Sequence, residues 1–199
     1  MKTIYILAAV LLVPLVCLAT QNKKDAQGGA AKPASGQYEM EGGYYKINFP
    51  KGWQVSRSAV YDKAEKVFGA EAVDPRGADG VPARISADYY TAGNLLFKNQ
   101  QDYIDSNSKP AVLALPDDKF GPVKTAEVAG RRASIFEKES ARLVPHGSPD
   151  AKKIPVLERT AVIPAKEGFY VVKLTAPKTR AADSLKLFEA ALKSFRPAH

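Results

Sequence analysis

Two histidines, and no cysteine beyond Cys17, limit the chemistry open to this chain. Past that cysteine there is neither a thiol nucleophile nor a thiolate metal ligand. His199 is the last residue and is expected to fray. His146 sits in Pro145-His146-Gly147-Ser148-Pro149, a turn-forming run. A Ser148 nucleophile with His146 as its base would need both side chains to converge beside an orienting acid. Residues two apart in a Gly/Pro turn rarely converge in this way, so a solvent-exposed loop histidine is expected. The chain has no His-x-His, His-Glu-x-x-His, EF-hand loop or Gly-x-Ser-x-Gly, so metallohydrolases and α/β-hydrolases lack their marks.

The carboxylates give little more. Asp74-Pro75-Arg76-Gly77-Ala78-Asp79-Gly80 puts two of them in one loop. Calcium would require further oxygen ligands at set spacing, and turn chemistry accounts for these residue types. Glu137 and Glu139 fall on one strand face, as an acid/base pair requires. Lys138 lies between them, and a solvated strand end is the expected reading. Trp53, after the turn Pro50-Lys51-Gly52, could stack on a ligand, but core packing is expected. No catalytic set, metal site or cofactor motif emerges, and a non-enzymatic protein is expected.

One segment stands out as a candidate binding element. Ser140 to Pro155 carries Arg142, His146, Lys152 and Lys153 with three prolines and one glycine. It is long for a connection between two strands, and long loops in compact domains are often functional. A basic, proline-stiffened loop could grip an acidic partner, and the alternative is a mobile insertion.

The N-terminus bears on compartment. Lys2 gives a positive start, Ile4 to Val16 an apolar run, and Cys17-Leu18-Ala19 small residues at −3 and −1 of a cleavage site. This is the pattern of a secretory signal peptide, with periplasmic or secreted protein starting at Thr20. Cys17 has a second reading as a lipid-bearing residue, but bulky Val16 fits a lipobox poorly. Cleavage leaves 180 residues, one domain's worth, without cysteine, so packing alone must hold it together. The mature chain has no apolar run long enough to span a membrane. The formal charge is +8, and loss of Lys2 makes it +7. Acidic partners such as an anionic surface or an envelope complex suit that charge, and export argues against nucleic acid. The basic residues are scattered, so a solvated basic surface accounts for them equally.

Residues 20–37 contain no bulky apolar side chain and read as a flexible linker, with the domain spanning 38–197. Strand alternation runs through Tyr45-Ile47-Phe49, Val67 to Val73, and Arg84 to Tyr90. Ser58 to Lys66 reads as a short link, helical in part. A first helix is expected over Asn94 to Ser106, and hairpins at Gly130 and at Pro164 to Gly168. Leu185, Phe188, Leu192 and Phe195 mark a closing helix from about Arg180 to Ser194. The strand Phe169-Tyr170-Val171-Val172-Lys173-Leu174 is apolar on both alternating faces and so requires cover on both. The expected fold class is α+β: an α/β/α sandwich with a largely antiparallel sheet covered by helices on both faces.

Three stretches resemble the PsbP-like families of the Mog1/PsbP fold. They are Tyr45-Lys46-Ile47-Asn48-Phe49-Pro50-Lys51-Gly52-Trp53, Gly130-Arg131-Arg132-Ala133, and Phe169 to Pro177 followed by a helix closing on Lys193-Ser194-Phe195-Arg196-Pro197. The resemblance implies that fold and, among its exported bacterial members, an accessory, assembly or binding role in the cell envelope. It carries no site residue. The alternative function is a periplasmic carrier of a small ligand or metal.

Intact-mass analysis of the exported protein should place its N-terminus at Thr20. A diacylglyceryl adduct on Cys17 would make it a lipoprotein instead.

Overall fold

A computed structural model describes residues 37–77, 80–110 and 118–198. The expected signal peptide with Cys17, most of the expected linker, Asp79 and His199 lie outside the described residues. The strands are β1 (Gln37–Glu39), β2 (Tyr45–Asn48), β3 (Gln54–Arg57), β4 (Val67–Val73) and β5 (Arg84–Tyr90). Helix α1 (Gln100–Asn107) follows, then β6 (Lys119–Phe120), β7 (Lys124–Val128), β8 (Arg131–Val144), β9 (Lys152–Pro164) and β10 (Phe169–Pro177). Helix α2 (Ala181–Ser194) and β11 (Arg196–Pro197) end the chain.

The large sheet has the order β3-β4-β5-β10-β9-β8, with β6 and β7 both pairing with β8. Every pairing is antiparallel, and a small sheet, β1-β2-β11, stands beside it. Tyr45 of β2 ties the two sheets together. Its hydroxyl accepts from the Ala70 N–H at 3.1 Å and donates to the Ala87 carbonyl, and these residues are directly opposite in the β4–β5 ladder. Its ring packs against Tyr170 and Phe195.

Helix α2 covers one face. Phe188, Ala191 and Leu192 join a core with Ala70, Ala72, Ile85, Ala87, Tyr170, Val172 and Leu174. The stripe read from the sequence is the face that packs, and Phe195 completes it just beyond the last turn.

The opposite face is different. Helix α1 contributes Tyr103 and Ile104 to a second cluster with Val67, Tyr90, Phe136, Val162, Phe169 and Val171. That cluster occupies only one end of the face. Further along β10 the same face carries Lys173 and Thr175, which alternation places below Val171. The described residues hold these two helices, and helical cover of this face is confined to the α1 end. The α+β class and antiparallel sheet stand, while helical cover over the whole of both faces does not follow from these two helices.

Other local expectations also shift. Residues 58–66 contain no helix and form turns, with the Asp62 side chain accepting from the Ala64 and Glu65 N–H groups at 2.7 and 3.3 Å. The first helix begins at Gln100, not Asn94. The Asn94 side chain accepts from the Leu96 and Phe97 N–H groups at 3.1 and 2.9 Å, closing a local turn instead of a helix. Asn99 then caps α1 by accepting from the Asp102 N–H at 3.0 Å. Ser140 to Pro155 is a two-stranded ribbon, with β8 and β9 paired as far as Val144 opposite Lys152, and only residues 145–151 connect them.

Leu192 is 6% exposed in the α2 core. Leu192→Ala should therefore cost about 2–5 kcal/mol in urea unfolding through lost contacts and a cavity. An unchanged midpoint would mean that α2 does not close the sheet.

Candidate functional site

The uncovered end of the second face is a groove of about 500 Å³, within the ~300–1,000 Å³ typical of small-molecule sites. Its floor is the sheet itself. Ladder registers place Gly69 opposite Asp88, Glu71 opposite Ser86, and Ser86 in turn opposite Lys173. Arg84 and Thr175 form the next row. The walls are the Ser58–Val60 turn, the Gly80–Pro82 loop and the tip of the β8–β9 ribbon. The ribbon tip packs close over that loop, since a Cβ at Gly80 would stand 2.6 Å from Val144 Cγ1. Arg142, Leu143, Val144 and His146 all line the groove from this side. Beyond Lys173 lies a smaller hollow of about 210 Å³ that shares its lysine.

Asp88 is the least solvated charge in the groove, at 4% exposed. Ser86 Oγ donates to its Oδ2 at 2.9 Å. Its Oδ1 and the hydroxyl of Ser58, a residue 7% exposed, both lie over Gly69, where a Cβ would collide with each. The two atoms face each other there, closed off from solvent, and neither bonds any other described residue. Gly69 therefore makes room for the carboxylate. Burial pushes the Asp88 carboxyl up to about 6, while Ser58, Ser86 and the charge of Lys173 pull it down and Glu71 pushes it further up.

Most of the other charges here are paired. Arg84 meets Glu71 at 3.5 Å, and Arg142 meets Glu158 at 3.2 Å. Lys173, half-buried in mid-strand, makes no ion pair or side-chain hydrogen bond among the described residues. The site thus holds two ions of opposite sign whose bonding capacity is incomplete.

The four candidate residues from the sequence divide here. Arg142 and His146 reach the groove, whereas Lys152 and Lys153 lie exposed at the start of β9 and do not line it. Glu137 bonds Arg159 at 3.2 Å, and Arg159 also meets Glu189 of α2 at 3.0 Å. Glu139 bonds Lys178 at 2.8 Å, so both glutamates anchor the sheet to the closing helix region. Asp74 is held by Arg76 at 3.0 Å and by Arg180, and the Arg76 hydrogen bonds, with help from Arg180, keep its carboxyl well below the usual range. Trp53 is buried in the α2 core. No group of three or more candidate metal ligands occurs among the described residues.

Asp88, Lys173, Ser58 and Ser86 were not among the candidate residues read from the sequence. The available signal was a charge inside an otherwise apolar strand: Asp in Arg84-Ile85-Ser86-Ala87-Asp88-Tyr89-Tyr90, and Lys in the β10 run. Aspartate is depleted in strands, and a mid-strand charge marks a special face.

No family model matches the sequence, and no curated protein matches it. Solved structures do. The cyanobacterial PsbP (CyanoP) of Synechocystis is 13% identical, with a TM-score of 0.51 over 85% of this chain and 96% of that one. A Pseudomonas aeruginosa protein of unknown function, PA94, is 13% identical, with a TM-score of 0.50 over 82% and 96%. LpqN of Mycobacterium tuberculosis, involved in cell envelope biogenesis, is 15% identical, with a TM-score of 0.45 over 76% and 81%. The chain spans 48% of a Bacteroides thetaiotaomicron protein that it matches at a TM-score of 0.47. The fold is PsbP-like, as the three sequence stretches implied.

The burial of Asp88 has a pH signature. Its folded value of about 6 lies above the ordinary 3.8, so the folded state keeps a proton that the unfolded chain releases. This stabilisation is complete below about pH 3.8 and is lost as pH rises through about 6. The total is about 3 kcal/mol. Asp88→Asn lacks this component, so its stability relative to wild type should climb by up to about 3 kcal/mol from pH 4 to pH 7. Urea unfolding of both proteins across that range checks it, and comparing the two cancels the opposite trend of Asp74. Parallel profiles would show that Asp88 titrates as a solvated carboxylate.

Proposed function

We propose that the protein is an exported, non-enzymatic binding protein of the cell envelope, and that the sheet-face groove is its ligand site. The observation that carries the reading is a pair of opposite ions, Asp88 and Lys173, that form no salt bridge with a described residue and line one hollow of small-molecule size. Buried polar groups are normally hydrogen-bonded, and a perturbed carboxylate in a cleft marks a candidate functional site. Binding is favoured over chemistry because the remaining carboxylates and guanidinium groups come as neutralising pairs, Arg84 with Glu71 and Arg142 with Glu158, which suit orienting a ligand. Export rests on the signal-peptide pattern of residues 1–19. No described helix is long and apolar enough to cross a membrane. An accessory role in an envelope complex remains compatible, with exposed Lys152 and Leu143 presented on the ribbon beside the groove.

Native mass spectrometry of protein gently recovered from its envelope fraction tests the reading. A bound species below about 1,000 Da should accompany wild type and be depleted at least tenfold in Asp88→Asn and Lys173→Met. The same extract, fractionated, should raise the melting temperature of wild type alone. Ligand-free wild type with no shift from any fraction would sink the carrier reading.

A further inference from the structure

Resting on that groove as the binding site, we propose that its ligand is a small zwitterion, with a protonated amine seated on Asp88 and a carboxylate seated on Lys173. Three features of the site lead there.

The first is what each charged group lacks. Asp88 can only accept, and its donors in the fold are two uncharged hydroxyls, Ser86 on Oδ2 and Ser58 beside Oδ1. An ammonium at its groove side supplies the charge that a desolvated carboxylate lacks. Lys173 has only donors and needs an acceptor, for which a carboxylate is the charged match.

The second is position. Asp88 and Lys173 sit on adjacent strands and on the same face, Lys173 opposite Ser86 and Asp88 two residues further along β5. Diagonal neighbours of this kind have Cα atoms roughly 7–8 Å apart. Their charged ends can thus address two groups of one small molecule rather than two separate ligands.

The third is charge balance. Glu71 offsets Arg84 and Glu158 offsets Arg142, which leaves Asp88 offset by Lys173. A plain cation or plain anion would bring a net charge into a partly desolvated site. A zwitterion brings none, and its dipole matches the site's own.

Calorimetric titration of wild type with the free amino acids at pH 7 tests this, alongside butylamine and butyrate as half-ligands and glycine betaine. At least one amino acid should bind with Kd below about 1 mM, and each half-ligand at least tenfold more weakly. Betaine cannot donate a hydrogen bond from its nitrogen and should also bind at least tenfold more weakly. Asp88→Asn and Lys173→Met should each reduce binding tenfold or more, with folding verified by circular dichroism. The comparison among ligands uses wild type alone, so it survives a variant that fails to fold. Butyrate binding as tightly as the amino acids and surviving Asp88→Asn would make this an anion site and overturn the proposal. If no zwitterion binds while native mass spectrometry finds another small ligand, the zwitterion assignment falls and the carrier reading stands. If neither experiment finds a ligand, both fall.

Discussion

Pairing β5 with β10 so that Ser86 faces Lys173 assigns each side chain in the middle of the sheet to one of two environments. Ala87, Tyr89, Tyr170, Val172 and Leu174 go to the α2 core, while Ser86, Asp88, Lys173 and Thr175 go to the opposite face. A slip of one residue would exchange the two sets. It would drive Lys173 into a dry core and expose Tyr170 and Val172 in its place. Tyr45 reinforces the same arrangement on the β4 side by bridging Ala70 and Ala87 from the α2 face. The groove therefore depends on the same ladder that buries the core.

That dependence makes the polar face informative. A sheet of this width could have carried apolar residues across its whole second face, as it does where α1 supplies Tyr103 and Ile104. Apolar replacements for buried ions are often neutral or stabilising. Here Asp88 is instead kept almost fully buried, with only uncharged serine hydroxyls for donors, and Gly69 is kept without the side chain that would crowd it. Glycine inside a strand gives up packing and costs conformational entropy. Two local concessions in stability converge on one carboxylate. Such departures from an optimal core concentrate at functional sites.

Much of the scaffold was legible in the sequence, because the local signals were periodic and punctuated. The bounds Val67–Val73 and Arg84–Tyr90, the two later hairpins and the closing helix all follow from alternation, glycine turns and a four-residue stripe. The ribbon was not, because Pro145, Gly147, Pro149 and Pro155 all read as loop. Pro155 is tolerated because β10 pairs with β9 only from Val156 onward, so its missing N–H falls where β9 has β8 as its neighbour on one side only. The groove was hidden for a related reason. Phe169 to Leu174 looks apolar on both faces until Lys173 is assigned to a row with Ser86 and Thr160 across three strands, and such rows exist only once the register is known.

The chemistry of the hollow also separates it from a packing defect. A defect arises where apolar side chains fail to meet, and its lining is apolar and dry. This hollow has a polar floor of Glu71, Ser86, Asp88, Arg84, Lys173 and Thr175 under walls that include Val60, Val81, Leu143 and Val144. The ribbon tip narrows it without filling it, since Arg142 is drawn aside to Glu158 rather than down to Asp88. Two oppositely charged groups on one rigid floor thus remain available together. A solute with both a cationic donor and an anionic acceptor can answer them in one step. The likeness to CyanoP and PA94 at 13% identity is one of fold. A fold does not carry a function, so the case for this site rests on the polar row laid across its floor.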